Sequence, residues 1–438
     1  MHGYEEALDF LAAALEAVVD DPGATLADEH DLQVEMGLAY KATGDWLSLR
    51  PLVHLAIEVA DQMDDPVALA RVAVMTSIDA LWQSAHHGEV DDVVVRALRR
   101  ALDRLPDTDH ELRCRVMMSL AGELYYGSSG QERDALAEEA VAMARRIGDP
   151  TLLMSTCQNA FVATWRPGTV HQRTALADEA LAIAQELGDA RALTHAQTVR
   201  AVSAAELGDV DLMDALTAEA RRGAEAQRNL YALVVLDSLE IPWLAMRGEH
   251  ERAEAMMTHL DETGQKMGLA QQGDALLGAY YATRMWRGGE EEILTIVRSI
   301  IDDNVLPLDA SLLVLLVRTG RTEEARAMLA EREPRLGGDT WFSLLPWAFA
   351  AESALGLDDH DLAAKSYRLL APHAGMMGAA GSGVTVGPVD AFLAMAAATT
   401  GEREIAARHA EAALTQCRAW RIPLVEKWFL GQRDRYRF

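Results

Sequence analysis

Lysine is nearly missing from this chain: among 438 residues only Lys41, Lys266, Lys365 and Lys427 occur, and no glycine is followed by lysine. That excludes the GxxxxGK[ST] loop, whose backbone amides and lysine cradle nucleotide phosphates. Cysteine is scarce as well. Cys114, Cys157 and Cys417 are odd in number and far apart, which excludes a disulfide framework or a cysteine-based zinc site and predicts a protein of the reducing cytoplasm. No HExxH pair, nucleophile elbow or paired-cysteine motif occurs. No run reaches the roughly 18 uncharged apolar residues of a membrane span, and the opening MHGYEEALDF lacks the basic-then-apolar order of a signal peptide. Positive charge is outweighed throughout: the net charge is -28 and the pI about 4.8, a field that repels phosphate backbones and anionic lipid. Neither direct nucleic-acid binding nor membrane association is expected, and no metal or other cofactor is implied.

What is present is helical. Segments such as DEALAIAQEL and EEARAMLAE carry apolar residues at three- and four-residue spacing, the period of an amphipathic helix, and strand-like alternation is almost absent. Breaks recur at Gly44, Gly88, Gly130, Gly168, Gly208, Gly248, Gly288, Gly320, Gly356 and Gly401, with a second series half a period later at Pro66, Pro106, Pro150, Gly188, Asn229, Gly268, Asn304 and Pro423. Two interleaved series mean two helices per repeat of about 40 residues, a unit that buries its apolar stripe only by stacking on its neighbours. In the recurring GD pairs, glycine ends one helix in a left-handed turn and aspartate caps the next. The expected fold is all-α: a right-handed α-solenoid of about ten helix pairs forming one domain over residues 1–438. Residues 1–20 read as a capping half-repeat, or as the second helix of a repeat whose first helix is missing. Residues 373–388 read as a glycine-rich loop, either a connector ending at the helix-starting Pro388 or a lid over the groove, and residues 421–438 as a C-terminal tail.

Counted from the turn glycines, an aromatic falls four residues before at Tyr40 and Tyr126, and a small residue five after at Ala135, Ala253, Ala325 and Ala406. These positions resemble the packing sites of tetratricopeptide repeats. The longer period, with LADEHDLQVEMGLAYKATGDW and GPVDAFLAMAAATTGEREIAARHAEAAL, is similar to the superhelical region of large bacterial ATP-dependent LuxR-like regulators related to the maltose-regulon activator. That resemblance implies a sensory or scaffolding role that receives an inducer or a regulatory protein partner. The phosphate loop of those regulators is absent, and the 18 residues from Arg421 are too few for a helix-turn-helix domain with its own core.

If each turn glycine marks the same place, residues two, three, six, ten and thirteen before it face the concave surface. The offsets select Trp82, Gln158, Trp165, Arg166, His195, Thr198, Ser238, Trp286 and Arg318. Aromatics beside hydrogen-bonding groups suit a small molecule, a sugar or a peptide, while tryptophans at such places also serve as packing between helices. Arg200 and Glu240, each eight before its glycine where leucine is usual, predict an ion pair between repeats, with Asp237 one turn away. His86 and His87 read as solvated turn residues, and DDHD at 358–361 as a helix cap. Three functions stay open: a ligand- or peptide-binding sensor, an enzyme that uses the groove as a reaction chamber with Asp237, Glu240 and His195 as acid and base, and a structural adaptor.

Overall fold

The computed structural model describes residues 2–43, 45–77, 80–82, 87–127, 130–267, 272–302 and 305–438. They form an α-solenoid in which successive helices pack on one another. The first half holds α1 (His2–Asp20), α2 (Leu26–Thr43), α3 (Trp46–Met63), α4 (Pro66–Ala73), α5 (Asp92–Arg104), α6 (Glu111–Glu123), α7 (Gly130–Ile147), α8 (Pro150–Ala163), α9 (Val170–Leu187), α10 (Ala190–Leu207) and α11 (Val210–Gln227). The second half holds α12 (Leu230–Arg247), α13 (His250–Met267), α14 (Gln272–Met285), α15 (Glu290–Ile300), α16 (Asp309–Arg318), α17 (Thr322–Glu331), α18 (Leu344–Leu357), α19 (His360–Leu370), α20 (Val389–Thr399), α21 (Arg403–Ala419) and α22 (Pro423–Tyr436). None of the described helices is long and apolar enough to cross a membrane.

The stop-and-start chemistry operates as expected through the middle of the array. Gly188 and Gly208 adopt φ of +66° and +72°, where a side chain would be strained, and return their N–H groups to the preceding turn. The aspartates that follow cap the next helix: Asp189 accepts from the amides of Arg191 and Ala192, and Asp209 from that of Leu212. Each such cap contributes about 1 kcal/mol. Three glycines of the series do something else. Gly130 begins α7, Gly168 sits in a short 3-10 turn, and Gly356 lies inside α18, where a Cβ would come within 2.4 Å of Val317. Gly356 is therefore a close-packing site, and the helix ends two residues later at Asp358, with φ of +58°. Gly44, Gly268 and Asn304 lie outside the described residues.

The array bends back on itself. Trp420 packs where a Cβ on Gly208 would meet the indole at 2.2 Å, Arg421 pairs with Asp211 and Asp214 at 2.9 and 3.0 Å, and α22 rests on α12. The stretch read as a tail is thus helix, and its Val425 and Phe429 are fully buried.

The glycine-rich run is a β-hairpin. β1 (Met377–Ala380) pairs antiparallel with β2 (Val384–Pro388), with a bulge between Gly378 and Ala379. Every residue of both strands is buried, because small and β-branched side chains fill the space between helices on both faces. β1 packs on α10 and α18, and β2 on α12 and α14, so the hairpin occupies the inside of the superhelix. Its stem is pinned by Asp390, which accepts from Gly375 N, His409 Nδ1 and Gln416 Nε2 at 2.7, 2.7 and 3.0 Å.

Candidate functional site

The hairpin tip, several helix-end segments and the inner faces of α12, α14 and α15 enclose a chamber of about 110 Å³, partly open to solvent. One wall is the segment after α6, where Tyr125 and Tyr126 meet the non-helical run before α18. The Trp341 amide donates to Tyr125 Oη at 2.9 Å, its indole N–H to Tyr126 Oη at 2.8 Å, and its carbonyl accepts from Gly381 N at 3.0 Å. The facing wall is held by Tyr231 of α12, whose hydroxyl accepts from the amides of Leu81 and Trp82 at 3.2 and 3.0 Å. Trp82 then donates its indole N–H to Ser382 Oγ at the hairpin tip, at 3.1 Å. Tyr281, Leu277, Ala275 and Asp274 of α14, Ser238 of α12, Ser311 of α16 and Leu345 of α18 also line it.

The electrostatics of this space are simple. Burial holds the phenols of Tyr125, Tyr126 and Tyr281 well above their usual range, so they stay protonated. His87 lies 4.9 Å from Tyr126 with the rings tilted, and edge-on to Trp341 and Phe342 at 5.5 and 6.3 Å. Burial pushes its imidazole down to about 4. Asp274 is the one carboxylic acid among the described lining residues.

The depressed histidine has a measurable consequence. Between pH 6.5 and about 4 the unfolded chain binds a proton that the folded chain refuses, so this contribution is intact above pH 6.5 and lost as pH falls through 4. A shift of this size corresponds to up to about 3 kcal/mol. Urea melts at pH 7 and pH 4.5 should show a smaller loss for a His87→Phe variant than for the parent chain; equal losses would mean that His87 takes up its proton in the folded state.

Of the nine residues selected from the sequence, Trp82, Trp165 and Ser238 line the chamber. The others do not. Arg166 makes a two-pronged pair with Asp134 at 2.9 and 2.6 Å and reaches Asp339 at 2.8 Å, facing a separate groove along α7 and α9. Arg318 is clamped on Glu352 at 2.7 and 2.8 Å with its guanidinium 5.0 Å over Trp428 of α22, and Trp286 lies edge-on to Trp428 at 5.7 Å, so both tie α22 to the array. Thr198 spends its hydroxyl on the Thr194 carbonyl, Gln158 is buried on α8, and His195 is half-buried on α10 away from the lining. The uniform register fails even at regular turns: His195 and Thr198 are counted from Gly208, Trp286 from Gly288 and Arg318 from Gly320, glycines that all keep positive φ, yet none of the four lines the chamber.

The expected Arg200–Glu240 pair is replaced by pairs to the preceding helix. Arg200 of α10 binds Asp178 of α9 at 2.5 Å, and Glu240 of α12 binds Arg221 of α11. Each first helix leans on the second helix of the repeat before it, and that surface supplies the counter-charge. Asp237 is fully buried between Arg221, at 2.8 Å, and His259, at 2.5 Å, and burial raises its carboxyl above the usual range against the pull of both partners. Asp237, Glu240 and His195 therefore do not converge on the chamber. In the 358–361 run, Asp359 caps α19 through Leu362 N. His86 lies outside the described residues.

Sequence reasoning missed His87 as a lining residue, along with Asp274, Tyr281, Trp341, Phe342 and the hairpin tip, and saw Tyr126 only as packing. The signal available was a pair of aromatics in the glycine-rich break GGDTWFS, where a plain linker would carry none.

No family model matches the chain, and no curated protein does. Among solved structures, a Rap protein complexed with competence and sporulation factor is similar over 93% of this chain and 99% of that one, at 11% identity and a TM-score of 0.40.

Proposed function

We propose that the protein is a ligand-binding superhelical sensor, and that its ligand is a small molecule held in the chamber rather than a chain laid along an open groove. The observation that carries this reading is the construction of the chamber. Six aromatic side chains, Trp82, Tyr126, Trp165, Tyr281, Trp341 and Phe342, converge from distant parts of the chain on an apolar space with few polar groups, which is the form of a small-molecule site. The enzyme reading lacks a comparable support, since Asp237 and Glu240 are committed to Arg221 elsewhere. A regulatory system of the kind the sequence resembles gives such a sensor its context.

Native mass spectrometry of protein purified without denaturation is expected to show a retained small molecule. Ala275→Phe, which places a ring in the chamber from the half-buried wall of α14, should remove that mass while leaving the melting temperature nearly unchanged. A parent chain that carries no added mass, from expression in rich medium and in extracts alike, would count against the reading.

A further inference from the structure

Two hydroxyls of chamber-lining residues lack a hydrogen-bond partner among the described residues. Ser238 is 1% exposed, and its Oγ has no hydrogen-bond partner among the described residues. Its counterpart ten residues before the turn glycine of the preceding repeat, Thr198, donates to the carbonyl one turn back at 2.8 Å, as Ser353 and Ser366 do elsewhere in the array at 2.7 and 2.8 Å. Ser238 makes no such bond. Four residues on stands Pro242, inside α12, which has no N–H to return to the Ser238 carbonyl, so the local helix is short of a donor there. On the adjacent helix Tyr281 is 6% exposed, and its Oη likewise lacks a partner among the described residues. A buried hydroxyl left unbonded costs free energy that a ligand oxygen recovers.

The charge pattern narrows the ligand further. No arginine or lysine is among the described lining residues, and Arg318, whose charge reaches Tyr281, is already committed to Glu352 at 2.7 and 2.8 Å, so an anion would enter a low-dielectric space without a free counter-charge among the described residues. Sugars need many polar partners, which a mostly carbon surface does not offer. Flat rings fit walls of this composition in edge-to-face or offset contact. Apolar cavities of about 150 Å³ hold a benzene ring. At about 110 Å³ with an opening, this chamber takes one ring and a short substituent.

We infer that the chamber selects an uncharged, single-ring aromatic molecule bearing a carbonyl or equivalent accepting oxygen, which Ser238 and Tyr281 hold by donation, and that it rejects aromatic anions; this rests on the ligand-binding reading above. Three probes of matched size separate the contributions. Acetophenone has the oxygen, α-methylstyrene replaces it with a methylene group, and benzoate carries the charge. Isothermal titration calorimetry should find acetophenone bound at least about tenfold more tightly than α-methylstyrene, with no binding of benzoate. In a Ser238→Ala/Tyr281→Phe double variant the first two should come within about threefold of each other, with the melting temperature unchanged or raised, since no native hydrogen bond is lost. Equal binding of acetophenone and α-methylstyrene, or benzoate binding as tightly as acetophenone, overturns the selectivity while leaving the chamber a ligand site. Failure of all three to bind overturns it too, and the sensor reading then falls only if the purified protein also carries no retained molecule.

Discussion

A Glu206→Leu variant is expected to lose about 3–5 kcal/mol of stability, because it strands a charge that has no route to water. Arg173 is fully buried, and its guanidinium sits over the rings of Phe161 and Trp165 at 4.7 and 5.6 Å. Glu206 is its counter-ion, at 2.6 Å, and also accepts the Trp165 indole N–H at 2.6 Å. Removing the carboxylate leaves the Trp165 indole unanswered and the buried guanidinium with only the neutral Thr169 Oγ1 and Arg166 carbonyl, at 3.2 and 3.3 Å, and no counter-charge. The pair itself contributes little net stability, since two desolvated ions roughly offset their attraction. It follows that an Arg173→Met/Glu206→Leu double variant should melt closer to the parent than the Glu206→Leu single variant does. Guanidinium denaturation of the three proteins measures this, and strictly additive losses would show that the two groups act independently.

Trp165→Ala carries the second large effect, about 3–5 kcal/mol, from the cavity left by a large ring that is 3% exposed. Trp165 stands in two roles at once. Its ring packs edge-on to Phe161 at 5.4 Å and under Arg173, and another part of it faces the chamber. The variant should therefore lose stability and ligand affinity together. Trp82, whose indole bonds only to the hairpin tip and which is half-buried, should shift binding more than melting. A Trp165→Ala protein that melts like the parent would mean that the ring is not part of the packing, and one that is destabilised yet retains full affinity would remove it from the binding wall.

The helix pairs were legible because they depend on chemistry within five residues: a glycine with positive φ, an aspartate accepting the next free amides, an apolar stripe between. Asp149, Asp189 and Asp209 perform that role as their sequence context predicts. The chamber was not legible, because its walls meet across long separations. Trp82 and Ser382 are 300 residues apart, and Tyr126 and Trp341 are 215 apart. No periodicity relates such positions, and a register counted from turn glycines fails even at Gly208, a regular left-handed helix end whose His195 and Thr198 lie off the chamber. The same limit explains Arg200 and Glu240: their unusual positions were visible, but the identity of the facing surface, the second helix of the preceding repeat, depends on how repeats stack.

The closing contacts also set the order in which the molecule can be made. An open array of repeats acquires stability as each unit docks on the one before, so its first half can settle while the rest is still being synthesised. Here Tyr125, Tyr126 and Trp82 wait for partners at Trp341 and Ser382, which leave the ribosome more than 200 residues later. Until then the aromatic wall is an exposed apolar surface on a growing chain, and the ligand space does not exist. A molecule that fills the chamber thus acts on a late event of assembly, fastening the late-made hairpin to the early-made helices and drawing distant parts of the chain into one cooperative body.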